Sequence, residues 1–299
     1  VRAMYRGNLS SEPPLFPSLF PNGNETWLLD TSAGLVHQFT PTLLDQFHYG
    51  YAYRFGDKFT GGVDSGLDVK IGLKGTRPEM FSLFQIPGLQ SLGESERKLQ
   101  RDVTHNVINS LTWVRGKHQF KTGFEYRYGL APAAQIATGV FTFDDRVTGS
   151  GVAELLLGRV SEAYSEGSNE NFGRVDNWAG YVQDDWKITK NLTMNIGLRW
   201  EMDTPRRDMS NMLCGFAFDP INPVCNCPGV MTFAGVDGAS IYASDFDKNN
   251  FGPRFGFAWR APWGLVLRGA YGIHYNPLYF GGAQGALNAG YGVGQASFS

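Results

Sequence analysis

The chain has 299 residues, of which 38 are glycine and 14% are aromatic, whereas only 18% are charged. Glycine is in excess and charged residues are scarce compared with an average soluble domain, and this combination favours strands over helices. The formal net charge of −2 excludes the broad positive field by which nucleic-acid-binding proteins neutralise phosphates. No stretch reaches the 18 consecutive apolar residues that indicate a membrane helix.

Six segments alternate apolar and polar side chains with a period of two, the pattern of a strand with one apolar face. The clearest is the fourth, in which every even position is apolar and every odd position is polar or glycine. In chain order the segments are Leu43 to Phe55, His118 to Tyr128, Trp178 to Ile188, Leu192 to Met202, Phe251 to Arg260 and Gly264 to Asn276.

Aromatic residues dominate the apolar side of these segments and gather towards the strand ends. The buried face of a soluble antiparallel sheet is usually filled by Val, Ile and Leu instead. Transmembrane barrels turn the apolar face outward to lipid and the polar face inward to a wet lumen, with aromatic girdles at both membrane interfaces. We therefore predict an all-β chain that forms an antiparallel transmembrane β-barrel.

Short turns alternate with long polar connections along the chain. The predicted short turns lie at Thr40–Thr42, Arg115–Lys117, Thr189–Asn191 and Ala261–Gly264, each between two alternating segments. Long connections such as 56–100 and 205–250 are rich in Gly, Pro, Asn and Ser. In outer-membrane barrels the short turns are periplasmic and the long loops extracellular. Within one long connection, Phe141–Phe143 predicts a short strand and Gly151–Gly158 one or two helical turns.

Five segments together resemble the Oar-like TonB-dependent receptor barrels of soil bacteria. They are Leu111–Glu125 around the turn at Gly116, Tyr181–Thr189, Leu192–Glu201, Asn249–Ala258 and Leu267–Gly272. The resemblance implies a 22-stranded barrel with an internal plug in the bacterial outer membrane, energised through TonB for uptake of a solute. The solute is not identified by the resemblance.

The resemblance runs from about Thr26 to Asn276 and covers only the middle of such a receptor. We expect residues 1–299 to be a partial barrel domain that supplies roughly eight to ten strands, with the signal peptide, the plug and the carboxyl-terminal strands lying outside it. No closing strand is evident in 281–299. An open barrel would leave two unpaired edges that lipid does not tolerate.

The charged residues on the polar side of the strands are the candidate functional residues. If the lumen is wet, they line its wall and pair either with the plug or with one another. The residues predicted to face the lumen are Glu125, Arg127, Asp185, Arg199, Glu201, Arg254 and Arg268. The expected partners are outer-membrane lipid, the TonB complex through the plug, and the transported solute.

Other motifs favour no catalytic, cofactor or metal site, and we expect a protein that is not an enzyme. Asp245, Asp247 and Asn249 have the spacing of the first ligands of a calcium loop, but Asn250 stands where that loop requires glycine. Adjacent carboxylates such as Asp184 and Asp185 point to opposite faces of a strand. The five histidines show no short metal spacing. Cys214, Cys225 and Cys227 leave open a loop disulfide with one free thiol.

Two alternatives share part of this pattern. A passive porin-like channel has the same strands without a plug. A secreted β-sandwich that binds carbohydrate would use exposed aromatic rings and would be soluble, with its apolar residues in a closed core.

Overall fold

A computed structural model describes residues 1–12, 22–59, 62, 65–77, 80–166, 169–275 and 295–298. In this part of the chain, strands dominate and helices are few and short. The strands are β1 (Arg2–Glu12), β2 (Asn22–Thr40), β3 (Leu43–Phe59), β4 (Leu83–Gln85), β5 (Glu96–Arg115), β6 (His118–Ala137), β7 (Gly139–Thr142), β8 (Glu162–Glu166), β9 (Asn169–Lys187), β10 (Leu192–Asp203), β11 (Arg207–Asp208), β12 (Cys214–Asn222), β13 (Cys227–Phe233), β14 (Asn250–Arg260), β15 (Val266–Gly272) and β16 (Gln295–Phe298). The helices are α1 (Leu67–Lys70), α2 (Gly151–Leu156) and a 3₁₀ turn at Pro262–Gly264. No described helix has the length and apolarity needed to cross a bilayer.

The main sheet follows the order β1-β2-β3-β5-β6-β9-β10-β14-β15, and β11 pairs with β9 beside this path. Every neighbouring pair along the path is antiparallel. All six alternating segments lie in this sheet, which confirms the predicted all-β antiparallel fold. Asn276, at the end of the last predicted segment, lies outside the described residues. Within the described part, β1 and β15 are the two outer strands of the sheet.

All four predicted short turns are confirmed, and they lie at the same end of the sheet. Pro41–Thr42 joins β2 to β3, Gly116–Lys117 joins β5 to β6, 189–191 joins β9 to β10, and the 3₁₀ turn joins β14 to β15. Gly116 has a φ of 61°, a left-handed conformation that glycine adopts without a Cβ clash. The tight turns therefore fix the register of each hairpin.

The central strands are much longer than a bilayer requires. Strands β5 and β6 have 20 residues each and β9 has 19, whereas about 9–11 tilted residues cross the hydrocarbon core. If the sheet crosses a bilayer as the sequence predicts, roughly half of each strand extends beyond the hydrocarbon core, on the side opposite the short turns. The long connections begin from these extensions.

The connections after β3 and β6 fold into a separate small domain, which we call the outer cap. Its sheet has the order β16-β8-β7-β4. Four buried residues, Phe81, Phe84, Ile86 and Phe143, form its core. The predicted short strand and helical turns are confirmed as β7 and α2, and both belong to this cap. Strand β16 lies in the stretch 281–299 and pairs with β8 of the cap.

A second element of the long-loop side is the hairpin formed by β12 and β13. Cys225 and Cys227 form a disulfide at its tip, and Cys214 is a free thiol at its base. The disulfide and the single free thiol that the sequence left open are therefore both present.

Candidate functional site on the polar face of the main sheet

The strand register gathers the polar positions of the main sheet on one side, which we call the polar face. Residues directly opposite each other on antiparallel strands share a face. Arg199 on β10 lies opposite Tyr181 on β9, which in turn lies opposite Gly123 on β6. By the same register, all seven residues predicted to line a lumen lie on the polar face: Glu125, Arg127, Asp185, Arg199, Glu201, Arg254 and Arg268.

Four of these residues form one ion-pair network across β6 and β10. Glu125 accepts a hydrogen bond from Arg127 Nη2 at 3.0 Å and lies 3.3 Å from Arg199 Nη2. Arg199 also donates from Nε to Glu201. The side chains of Glu125 and Arg199 are only 17% and 21% exposed. Because each charge has a partner of opposite sign, the network neutralises itself in the absence of any other molecule.

The other three predicted residues lie outside this network. Asp185 accepts hydrogen bonds from Gln183 and Asn195, its neighbours on the same face. Arg254 Nη2 lies 3.4 Å from His274 Nδ1. Arg268 is exposed on β15, which is an outer strand of the described sheet.

A narrow cleft of about 90 Å³ lies over the ion-pair network. Asn177 donates to Asp203 in its wall, and Asn250 and Tyr275 complete the lining. A cleft of this volume holds a few water molecules rather than a solute of the usual ligand size.

A larger cavity of about 360 Å³ lies on the polar face near β1. Asp30 on β2, Gly50 on β3, and Thr104 and Asn106 on β5 contribute to its lining. The Oδ1 atom of Asn106 is buried and has no hydrogen-bond partner within the described residues. Sequence reasoning missed this cavity because strand β2 lay outside the six alternating segments, so its polar positions were not assigned to a face.

Glycine on the polar face makes room for a larger neighbour. A Cβ at Gly123 would lie 2.5 Å from the ring of Tyr181, closer than atoms approach without a clash. The Tyr181 ring therefore packs over the backbone of β6 at this point. The glycine and the aromatic residue are a matched pair.

The opposite face of the sheet is apolar and open. Phe124, Val182 and Leu198 lie on it with 44%, 53% and 43% of their surface exposed. These values exceed the exposed fractions of Glu125, Arg199 and Glu201 in the network, which are 17%, 21% and 25%. Arg127, at the rim of the network, is 46% exposed. The open apolar face is the reverse of a soluble sheet, whose apolar face packs into a core.

Aromatic residues form two bands on the apolar face. Trp113, Phe120 and Trp186 lie near the short turns, and Tyr126 and Trp178 lie higher, with ring centroids 4.2 Å apart. Eight residues separate Trp186 from Trp178 on β9, which is about 27 Å along the strand and about 21 Å in height at the usual tilt of about 40°. This spacing matches the apolar band of about 25 Å between the aromatic girdles of membrane barrels.

Several polar groups on the apolar face are paired with one another. Tyr126 donates its hydroxyl hydrogen to Asp176 at 2.9 Å, and Arg174 donates to the same carboxylate from two nitrogens. The Tyr49 hydroxyl lies 2.7 Å from His105 Nδ1. Pairing of this kind is what a group in an apolar environment requires.

The comparisons with known proteins agree with this geometry. The family model described as "Outer membrane beta barrel domain" matches residues 1–299. The chain belongs to this family. No curated protein and no solved structure matches the chain significantly.

Membership places this outer-membrane β-barrel domain in the outer membrane of a bacterium, as a protein of the transport type. The family match does not distinguish an Oar-like TonB-dependent receptor from other barrels. The apolar face with its two aromatic bands is the surface that suits contact with lipid. The polar face, where all seven predicted residues lie, is the surface available to a lumen.

The outer cap of this barrel domain contains a buried carboxylate with several partners. Glu154 is 1% exposed, accepts a hydrogen bond from Thr148 N at 2.7 Å, and forms an ion pair with Arg159 Nε at 3.1 Å. Burial raises the pKa of Glu154, but the hydrogen bonds from Thr148 and the Arg159 charge together outweigh it, so the pKa lies below its usual value. The charged form of Glu154 therefore stabilises the cap.

Proposed function

We propose that this chain forms part of the barrel of an Oar-like TonB-dependent receptor, which takes up a solute with energy supplied from the inner membrane. The observation that carries the proposal is the polar face: charged and hydrogen-bonding side chains line one side of a long sheet, whose nine strands in line do not close on themselves within the described residues. The resemblance of the five segments supports the receptor class.

The open sheet supports a wide barrel. Lipid does not tolerate unpaired strand edges, so in this proposal the sheet closes through strands in addition to the nine described ones. Barrels of about eight strands have interiors filled by their own side chains, whereas larger ones enclose a channel or a plugged lumen. Because the nine strands that the structure describes in line do not close the sheet, the barrel that we propose belongs to the class with a channel or a plugged lumen.

The long-loop side supports a receptor rather than a simple pore. Strands β5, β6 and β9 extend about as far beyond the membrane as within it, and the connections fold into the outer cap with a core of its own. A folded structure at this height offers surface for capture of a solute before it reaches the lumen. Residues 1–299 would supply this wall, and a plug would supply the contact with TonB.

The seven residues of the polar face act in this proposal as a lumen wall, without catalytic roles. The network of Glu125, Arg127, Arg199 and Glu201 keeps the wall hydrated while presenting little net charge. Asp185 extends the wall towards the short turns, and Arg254 and Arg268 extend it towards β15. No cofactor enters the proposal, since transport through such a wall requires only binding and movement.

Uptake by cells tests the proposal against a passive channel. The complete reading frame that encodes the chain is expressed in the outer membrane of a host with TonB and of an isogenic host without it. Solutes removed from a defined mixture are then identified by mass spectrometry. We expect accumulation of at least one solute that requires both the protein and TonB and that stops when the proton gradient is collapsed.

A passive channel gives a different result. Solutes then equilibrate across the outer membrane at the same rate with and without TonB, and a small charged dye enters cells that express the protein. That outcome, or a complete reading frame without a plug, would refute the receptor proposal in favour of a porin-like channel.

A further inference from the structure

Three cations at the short-turn end of the sheet lack an acidic partner within the described residues. Arg115 ends β5, Lys117 lies in the turn that follows it, and Lys190 lies in the turn between β9 and β10. All three are exposed. On the polar face, in contrast, Arg127 and Arg199 are paired with carboxylates. The three cations of this end, Arg115, Lys117 and Lys190, form what we call the turn-end cluster.

Contacts between the two turns hold the turn-end cluster together. Lys117 Nζ donates a hydrogen bond to the carbonyl oxygen of Ile188 at 3.0 Å, and the backbone N–H of Lys187 donates to the carbonyl oxygen of Lys117 at 2.8 Å. These bonds join the β5–β6 turn to the start of the β9–β10 turn. Lys190 follows Ile188 by two residues and lies in the turn that these bonds join to the first one.

The cluster lies directly beside the lower aromatic band. The guanidinium carbon of Arg115 lies 5.4 Å from the ring centroid of Trp113, so the Arg115 charge makes a cation–π interaction with a residue of this band. His118 stacks against Trp186 with centroids 5.2 Å apart. Two acids lie nearby on this face: Asp184 is engaged by His118 Nδ1 at 2.7 Å, and Asp45 accepts a hydrogen bond from Asn109 at 2.9 Å.

This position corresponds to the headgroup layer of a bilayer. Girdle aromatic residues lie where hydrocarbon meets headgroups, and the turn-end cluster begins immediately beyond them. Lipid phosphates occupy the same layer. Exposed cations without carboxylate partners are attracted there by anionic lipids, and the attraction is lost within a Debye length.

We propose that the turn-end cluster is a binding site for the headgroup of an anionic phospholipid of the phosphatidylglycerol type. Arg115 and Lys190 bind the phosphodiester oxygens, and Lys117 adds its charge while holding the two turns together. Trp113 and Trp186 contact the glycerol and upper acyl region. Such a lipid would fix the depth of these hairpins in the membrane.

Binding of brominated lipids, measured as quenching of tryptophan fluorescence, tests the site. The protein is purified in detergent from outer membranes, and quenching is recorded with brominated phosphatidylglycerol and with brominated phosphatidylethanolamine. Arg115→Gln/Lys190→Gln removes two charges and keeps the hydrogen bond of Lys117. We expect this variant to bind phosphatidylglycerol about 25-fold more weakly, about five-fold for each cation near an anionic lipid surface, with phosphatidylethanolamine much less affected.

A matched variant controls for total charge. Lys70→Gln/Lys74→Gln makes the same change in the outer cap, far from the short turns, and should retain the affinity of the unmodified protein for phosphatidylglycerol. Raising the salt concentration to about 0.5 M should remove most of the preference of the unmodified protein. Equal binding of phosphatidylglycerol by the turn-end variant and the unmodified protein, with both folded by circular dichroism, would overturn the proposal.

Discussion

Arginine substitutions on β10 test which surroundings the apolar face meets. Leu198 lies six residues above the start of β10, opposite Val182 and Pro253. Six residues correspond to about 20 Å of strand and about 16 Å of height at a tilt of about 40°, which is close to the middle of a 25 Å apolar band. Met194, on the same face, lies only two residues above the start, about 5 Å high.

The expected cost depends on depth because lipid is apolar only in its centre. Arginine at the midplane of a membrane barrel costs about 2–4 kcal/mol, and near the interface about 0–1 kcal/mol. Leu198→Arg should therefore lower the folding equilibrium constant roughly 30- to 700-fold, whereas Met194→Arg should change it less than about five-fold. Asn195→Arg, on the polar face beside Asp185, is expected to be close to neutral.

Unfolding by urea in lipid vesicles measures these differences. The three variants are refolded into the same vesicles as the unmodified protein, and the transition is followed by tryptophan fluorescence. A packed protein core would penalise arginine at Met194 as heavily as at Leu198. Equal destabilisation of these two variants would therefore refute our assignment of the apolar face to lipid.

Three further predictions concern the polar face and the outer cap. Arg199→Gln should lower the free energy of unfolding by about 1–2 kcal/mol, because the shielded Glu125 keeps only one cation partner. Arg268→Gln, at an exposed position, should have almost no effect. Both free energies are obtained from urea unfolding curves. The lowered pKa of Glu154 means that its contribution to cap stability is complete above the usual glutamate pKa of about 4.3 and is lost as the pH falls through the folded-state value. The protection of the cap amides, measured as their exchange rate relative to the intrinsic rate at each pH, should therefore decrease over this range, and Glu154→Gln should flatten the response. Phe84→Ala in the cap core should lower the free energy of unfolding of the cap by about 3–5 kcal/mol. Limited proteolysis should detect this as faster cleavage in the cap, while the urea midpoint of the main sheet stays unchanged. A shift of that midpoint would contradict our separation of the two units.

The sequence predicted the strands of the main sheet well where both faces carried a signal. In β10 every position alternates, and in β6 the aromatic and charged residues separate cleanly, so period two was sufficient to assign a strand and its polar side. The short turns were equally evident, because Gly116 allows the left-handed backbone that a tight turn requires and Pro262 fixes φ at the start of another turn. Local patterns of this kind need no knowledge of the fold.

The sequence missed features that depend on contacts between distant segments. Strand β1 and the cavity lined by Asp30 and Asn106 were not predicted, since a cavity wall is formed by neighbouring strands whose pairing a single-strand pattern does not give. The outer cap was also only partly predicted. Its core joins Phe84 from one connection to Phe143 from another, so neither connection shows the periodicity of a complete domain.

The sequence alone determined the all-β class, the hairpins and the side of each strand that carries charge, because the alternation of side chains is a property of an extended backbone. Only the tertiary structure decided which charges meet. Glu125 and Arg199 lie 74 residues apart in the chain, and they pair because β6 and β10 flank β9 in register. The same register leaves the apolar side chains open on one face and shields the Glu125–Arg199 pair on the other, and this arrangement suits a sheet with lipid outside and water within.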